Sequence, residues 1–208
     1  CDRRQRQMCI RDSIYGLDQK TGLEISESKS SVATKYPVMA AIGQSDNNYT
    51  TVALSRYVTA VASGKKYNYQ LMDRIVDASG KTVKKYKADY EDISDTLTDS
   101  QWDALHSGMR QVVSTMDRFQ GFDIPVAGKT GTAQQTGHAN HGLFIGYAPY
   151  DDPEITIAVR IANGYSSHNA ATAARNVISY YYKETSMKDI KEMKAAGVNG
   201  NTRNSVAD

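Results

Sequence analysis

The apolar positions change period along the chain, and the changes mark its elements. After Thr50, a residue suited to capping, Leu54, Tyr57, Val58 and Val61 recur at i, i+3, i+4 and i+7, and Gly64 stands where such a helix would end. The runs 69–76 and 82–86 flank the turn Asp77-Ala78-Ser79-Gly80 and read as a hairpin. The clearest helix comes next. Thr98 and Gln101 form a capping box, and Trp102, Leu105, Met109, Val112, Val113 and Met116 make one stripe. Beyond Gly121 the period shortens: 124–134 and 141–147 are β-like. Ile155, Ile157, Val159 and Ile161 then alternate with Thr156, Ala158, Arg160 and Ala162, as on a half-buried strand. A last helix over about 169–182 would bury Ala170, Ala173, Ala174, Val177, Ile178 and Tyr181. Short connections make neighbouring strands antiparallel. The fold class is α+β, an antiparallel sheet of three strands flanked by helices. Three strands are few for a chain this long, so one or more are expected to be missing.

The flanks differ from this body. Residues 1–13 hold both cysteines and four arginines without any period, and are expected to be a leader foreign to the rest. Residues 14–49 are polar and loop-rich, and 184–208 read as a disordered polar tail. Lys+Arg 25 against Asp+Glu 23 leaves a net charge of +2 over 208 residues, too balanced for a nucleic-acid partner and too small for a disordered chain. Fourteen tyrosines supply bulk that the aliphatic residues lack. No apolar run reaches membrane-spanning length, and no signal-peptide pattern opens the chain.

The most informative segment is Val126-Ala127-Gly128-Lys129-Thr130-Gly131-Thr132-Ala133. On a strand, Lys129, Thr130 and Thr132 set an ammonium and two hydroxyls along one edge, and Gly131 lets a ligand backbone come close. Free edge N–H groups suit an oxyanion or an extended peptide. A phosphate loop is the rival reading of Gly128-Lys129-Thr130. It requires a glycine where Asp123 stands and a helix where TGTAQQTGHANHG follows, so it is rejected.

The chain resembles the transpeptidase domain of the penicillin-binding proteins, most closely the class B type. The segments that carry the resemblance are Tyr15-Gly16-Leu17-Asp18-Gln19-Lys20-Thr21-Gly22-Leu23, Ala41-Ile42-Gly43-Gln44 with Thr50 and Thr51, the 126–134 strand, and Gly146-Tyr147-Ala148-Pro149. Leu143 departs from it, at a position where the family often has tryptophan. The resemblance implies 14–183 as a partial transpeptidase domain. It also implies a D,D-transpeptidase that crosslinks peptidoglycan stem peptides through an acyl-serine intermediate, with no metal or organic cofactor. Lys129 would maintain the electrostatics of the site. Thr130 and Thr132 would hold the substrate carboxylate, Gly131 would line the strand, and the Thr132 N–H would form half of the oxyanion hole. The implied ligands are the D-Ala-D-Ala end of a stem peptide and its β-lactam mimics. The implied setting is extracytoplasmic, on a bacterial membrane, beside a glycan-polymerising partner. A β-lactam sensor or other non-turnover binding protein is the alternative, with a D,D-carboxypeptidase or β-lactamase as the rival among enzymes.

Two further family motifs are matched in letters only. Ser26-Glu27-Ser28-Lys29 fits S-x-x-K and Ser45-Asp46-Asn47 fits S-x-N, but EISESKSSVATKY carries no apolar stripe for a buried helix, and the two serines are 19 residues apart. Both are read as decoys. The nucleophile is expected upstream, and the chain by itself is expected to be inactive and poorly soluble, with a sheet edge uncovered. His138 and His141 have H-x-x-H spacing, without the cysteine or carboxylate that would complete a zinc set. Ser167-His168-Asn169 is read as the start of the last helix, and Lys84-Lys85-Tyr86-Lys87 as a solvated hairpin edge.

Overall fold

The apolar spacing after Thr50 becomes helix α1, Thr51–Ser63, in a computed structural model that describes residues 12–33, 35–40 and 43–192. The leader expected at 1–13 lies almost wholly outside the described residues, as does the tail beyond Glu192. Helix α1 starts where Thr50, in extended conformation, accepts the Ala53 N–H on its hydroxyl at 3.2 Å. It stops at Gly64, whose left-handed φ of 66° lets its N–H return to the Ala60 carbonyl. The chain divides into two compact units after Thr96.

In the first unit α1 buries Ala53, Val58, Ala60 and Val61. The predicted hairpin is present as β2, Arg74–Val76, paired with β3, Thr82–Lys85. A second two-stranded sheet, β1 (Lys65–Asn68) with β4 (Asp89–Asp92), brackets it and was not predicted. Four-residue runs such as KKYN and DYED are too short and polar to show a period. The polar stretch before α1 is ordered by side chains rather than by an apolar stripe. Arg56 of α1, 2% exposed, donates to the carbonyls of Gly16, Lys20 (2.8 Å) and Gln19 (3.3 Å). Glu27 accepts from the Thr21 N–H and hydroxyl and from the Gly22 N–H.

In the second unit α2 spans Asp99–Ser114, and the Thr98 N–H donates to Gln101 Oε1 at 2.9 Å, as the capping box predicts. The sheet is β5 (Ala127–Ala133), β6 (His141–Ala148) and β7 (Ile155–Ile161), antiparallel and in that order. Helix α3, Ser167–Tyr181, packs across all three strands, and α2 packs on β5. Val113, Met116, Phe119, Val126, Phe144 and Ile178 form the core with three alanines of α3.

The buried stripe of α3 differs from the expected one. Ser167, Ala170, Ala171, Ala174 and Ile178 face inward, while Val177 and Tyr181 are half-exposed. Small side chains let the helix backbone lie close to the sheet, and the bulky residues are turned out by the same closeness. Its cap is Ser166, whose Oγ accepts from the His168 N–H at 3.1 Å, one residue before the serine of the Ser-His-Asn string. Part of the segment expected as tail, Met187–Glu192, is the helix α4. Among the described residues no helix is long and apolar enough to cross a membrane.

Candidate functional site

Strand β5 lies at the end of the sheet order, so among the described residues its ladder is made on one side only, to β6. Burial falls off along it. Ala127 and Gly128 are buried, Lys129 is exposed, and Thr130, Gly131 and Thr132 are half-buried. The buried start is closed by α2, whose Arg110 donates to the Val126 carbonyl at 3.1 Å. The accessible remainder is Lys129-Thr130-Gly131-Thr132, so the four residues singled out from sequence stand together on one sheet edge. The Lys129 ammonium donates to the Thr130 carbonyl at 2.9 Å and lies 3.4 Å from the Thr130 hydroxyl. A cation and hydroxyls beside an open strand can take a carboxylate by charge-assisted hydrogen bonds and a peptide by strand pairing.

The glycines show which constraints come from the fold. A Cβ at Gly128 would strike the Phe144 ring and lie 2.7 Å from the Ile145 carbonyl, and one at Gly146 would lie 2.7 Å from the Ala127 carbonyl. Both are forced by packing. A Cβ at Gly131 would meet Leu143 Cβ at 3.5 Å, an ordinary contact. Among the described residues no contact requires Gly131, and it lies between the two threonines on the accessible edge.

The letter matches fare differently. Ser26 and Lys29 lie in an irregular, exposed segment, without the helical turn that would bring a lysine to face the serine. Glu27 between them is spent on Thr21 and Gly22. Ser45, at a φ of 87°, donates to the Lys35 carbonyl at 2.6 Å. The Asn47 amide bonds the Ala33 N–H, the Tyr49 hydroxyl and the Gln44 carbonyl. Both strings lie in loops, the second held there by the bonds of Ser45 and Asn47. The Gly128-Lys129-Thr130 string runs on in a strand, with no helix after it to meet a phosphate.

By spacing alone His141 reads only as a candidate metal ligand, and the structure gives it another place. Buried at the start of β6, opposite Ala133 of β5, it accepts the Asn163 N–H on Nδ1 at 3.0 Å, and its Nε2 lies 2.6 Å from the Gln135 amide. It thereby joins the 134–140 connection to the loop after β7. Burial, reinforced by the Arg160 charge, holds its imidazole below the ordinary value. No spacing rule could have found this role, because Gln135 and Asn163 meet it only through the sheet register. Among the described residues no group of three metal-ligating side chains is assembled.

The described residues form an antiparallel sheet covered by a small-residue helix, with lysine, two threonines and a glycine along the strand at its edge. The chain belongs to the penicillin-binding protein transpeptidase domain family, whose model matches residues 13–179. It is 27% identical to the peptidoglycan D,D-transpeptidase MrdA of Haemophilus influenzae, over 82% of this chain and 32% of that one. It is 30% identical to penicillin-binding protein 2B of Streptococcus pneumoniae, over 81% of this chain and 28% of that one. The solved structure of the pneumococcal protein superposes with a TM-score of 0.75 at 25% identity, covering 88% of this chain and 33% of that one. The α+β fold with its antiparallel sheet is therefore that of the family. The chain spans about a third of the length of the relatives it matches.

Proposed function

We propose that this chain is the part of a peptidoglycan D,D-transpeptidase that carries the substrate-binding strand. The observation that carries the reading is the Lys129-Thr130-Gly131-Thr132 edge of β5, accessible and holding a glycine that internal packing does not demand. In this reading the D-Ala-D-Ala end of a stem peptide lies along β5 as an added strand. Lys129 sets the positive field at its carboxylate, Thr130 and Thr132 donate their hydroxyls to it, and the Thr132 N–H meets the carbonyl oxygen as it gains charge. A β-lactam, which also presents a carboxylate beside an acyl carbonyl, occupies the same edge. Ser26 is not the acyl acceptor, since it lies in an irregular, exposed segment without the helical turn that would bring Lys29 to it; a serine activated by a lysine one helical turn away completes the complete protein's site. The names of the relatives support a parent enzyme of peptidoglycan synthesis, and in this reading the domain is extracytoplasmic and works beside a glycan-polymerising partner.

The test uses the whole 208-residue chain. Diacetyl-Lys-D-Ala-D-Ala is expected to slow amide exchange at residues 130–133, and Lys129→Ala to weaken this by about tenfold, the loss of one charge-assisted contact. Equal protection by the L-Ala-L-Ala peptide, or none at β5, would remove the substrate reading. Fluorescent penicillin is expected to leave Ser26 unmodified, and a mass-mapped adduct there would make Ser26 the nucleophile.

A further inference from the structure

Among the described residues the hairpin of β2 and β3 carries apolar side chains that stand exposed. Every residue of both strands is exposed. Val83 is 68% and Leu71 62% exposed, and Ile75, Val76 and Met72 lie between 40% and 49%. A two-stranded hairpin alone in water is marginal, yet this one is fastened at its root. The Glu24 carboxylate accepts the N–H groups of Leu71 at 2.8 Å and Met72 at 3.4 Å, and the Tyr69 N–H donates to the Thr21 carbonyl at 2.8 Å. At its tip Asp77 accepts from the N–H groups of Ser79 and Lys81 at 2.9 and 3.0 Å. The arm is ordered at both ends and bare along its length.

Its charge is one-sided. Between Leu71 and Ala88 stand Arg74, Lys81, Lys84, Lys85 and Lys87 against Asp73 and Asp77. Asp73 lies 3.7 Å from Arg74, and Asp77 is taken up by the turn. Among the described residues the four lysines make no ion pair. Edge lysines that oppose aggregation account for a basic run, but not for five exposed apolar side chains interleaved with it. The ladder supplies a direction. The Tyr86 N–H bonds the Asp73 carbonyl and Lys85 stands opposite Arg74, so strand alternation turns the backbone groups of Lys85 away from β2, and a register shift beside Ile75 and Val76 leaves Val83 as the extra residue of a bulge.

We propose that β3 is a receiving edge for an extended, acidic segment of a partner protein, which adds to it as a third strand. Its carboxylates meet Lys81, Lys84 and Lys85, and its apolar side chains cover Val83 and Ile75. A membrane is the poorer occupant. The apolar residues lie on the root and shafts, whereas the tip that would enter a bilayer is Asp77-Ala78-Ser79-Gly80.

The test titrates the whole chain with a fluorescein-labelled peptide of alternating Glu and Val, with its Lys/Val counterpart, and with phosphatidylglycerol–phosphatidylcholine vesicles. Binding is followed by anisotropy and co-sedimentation, and the site by amide exchange. The acidic peptide is expected to bind, to protect the Lys85 amide, and to lose about tenfold in affinity with Lys84→Glu/Lys85→Glu. Both lysines are exposed, and an unchanged far-ultraviolet dichroism spectrum verifies the fold of the variant. Equal binding of the basic peptide, an undiminished affinity in the variant, no binding of the acidic peptide, or binding to vesicles alone would each overturn the proposal.

Discussion

A methyl group at Gly128 has no room, whereas one at Gly131 has ordinary contact distance to Leu143. Gly128→Ala is expected to cost about 1–3 kcal/mol by overpacking against Phe144 and the Ile145 carbonyl. Gly131→Ala is expected to leave stability within about 0.5 kcal/mol while abolishing protection of β5 by the D-Ala-D-Ala peptide. Urea unfolding beside amide exchange separates the two effects, and a Gly131→Ala chain that still binds would return that glycine to a merely tolerated position. His141 makes a second residue-scale prediction. Its native imidazole is held below the ordinary value by burial, so the unfolded chain takes up a proton that the native ring resists. That contribution to stability is complete above about pH 6.5 and is lost as the pH falls from there through the depressed native value. Melting temperature plotted against pH is expected to drop over that window, and His141→Gln to flatten the drop. Lys129, Thr130, Gly131 and Thr132 were legible in the sequence because their chemistry is contiguous. His141 was not, because its partners are six and twenty-two residues away.

Helix α1 shows at the scale of an element what periodicity can and cannot supply. The apolar positions and the caps at Thr50 and Gly64 were readable one by one. That Arg56, on the same helix, would be buried and bind three carbonyls of the preceding loop was not, since an arginine reads as solvent-facing. Arg56→Met keeps much of the volume and removes the donors, taking from the Lys20 and Gln19 carbonyls their arginine partner and leaving the Gly16 carbonyl with the Gln19 N–H at 3.3 Å. About 1–3 kcal/mol of local stability is expected to be lost. Amide exchange should then rise across residues 16–22 and remain unchanged in β5; equal exchange in both loops and strand would point to global loss instead. On α3, period alone placed the apolar stripe about one position away from the buried one. Only contact with β6, where Gly142 gives the Ser166 carbonyl room to approach, selects the alanine face.

At the scale of the whole molecule, the composition and the regular strands were enough to place the chain in an α+β class. The sheet of the described residues ends in strands paired on one side, and an open apolar groove of about 560 Å³ lies by Ile155, Val177, Tyr180 and Tyr181. Exposed apolar surface of this kind binds hydrophobic dyes. The chain is expected to enhance anilinonaphthalene sulfonate fluorescence, with about a twofold reduction in Val177→Lys/Tyr181→Lys at unchanged helix content. An unaltered signal in that variant would place the dye elsewhere.

The sequence by itself determined much of the local structure of this protein: the two capped helices after Thr50 and Thr98, the hairpin, the three strands of the sheet, and the contiguous Lys129-Thr130-Gly131-Thr132 string. Each of those depends on neighbours within a turn or a strand, so the linear order contains it. The tertiary structure decided the rest. It put Lys129-Thr130-Gly131-Thr132 on an open edge, distinguished the glycine required by packing from the one that is not, placed both letter-perfect serine motifs in loops, and left a basic, apolar hairpin standing in water. Register and burial are set by residues far apart in the chain, and no pattern read along it can state which of them will meet.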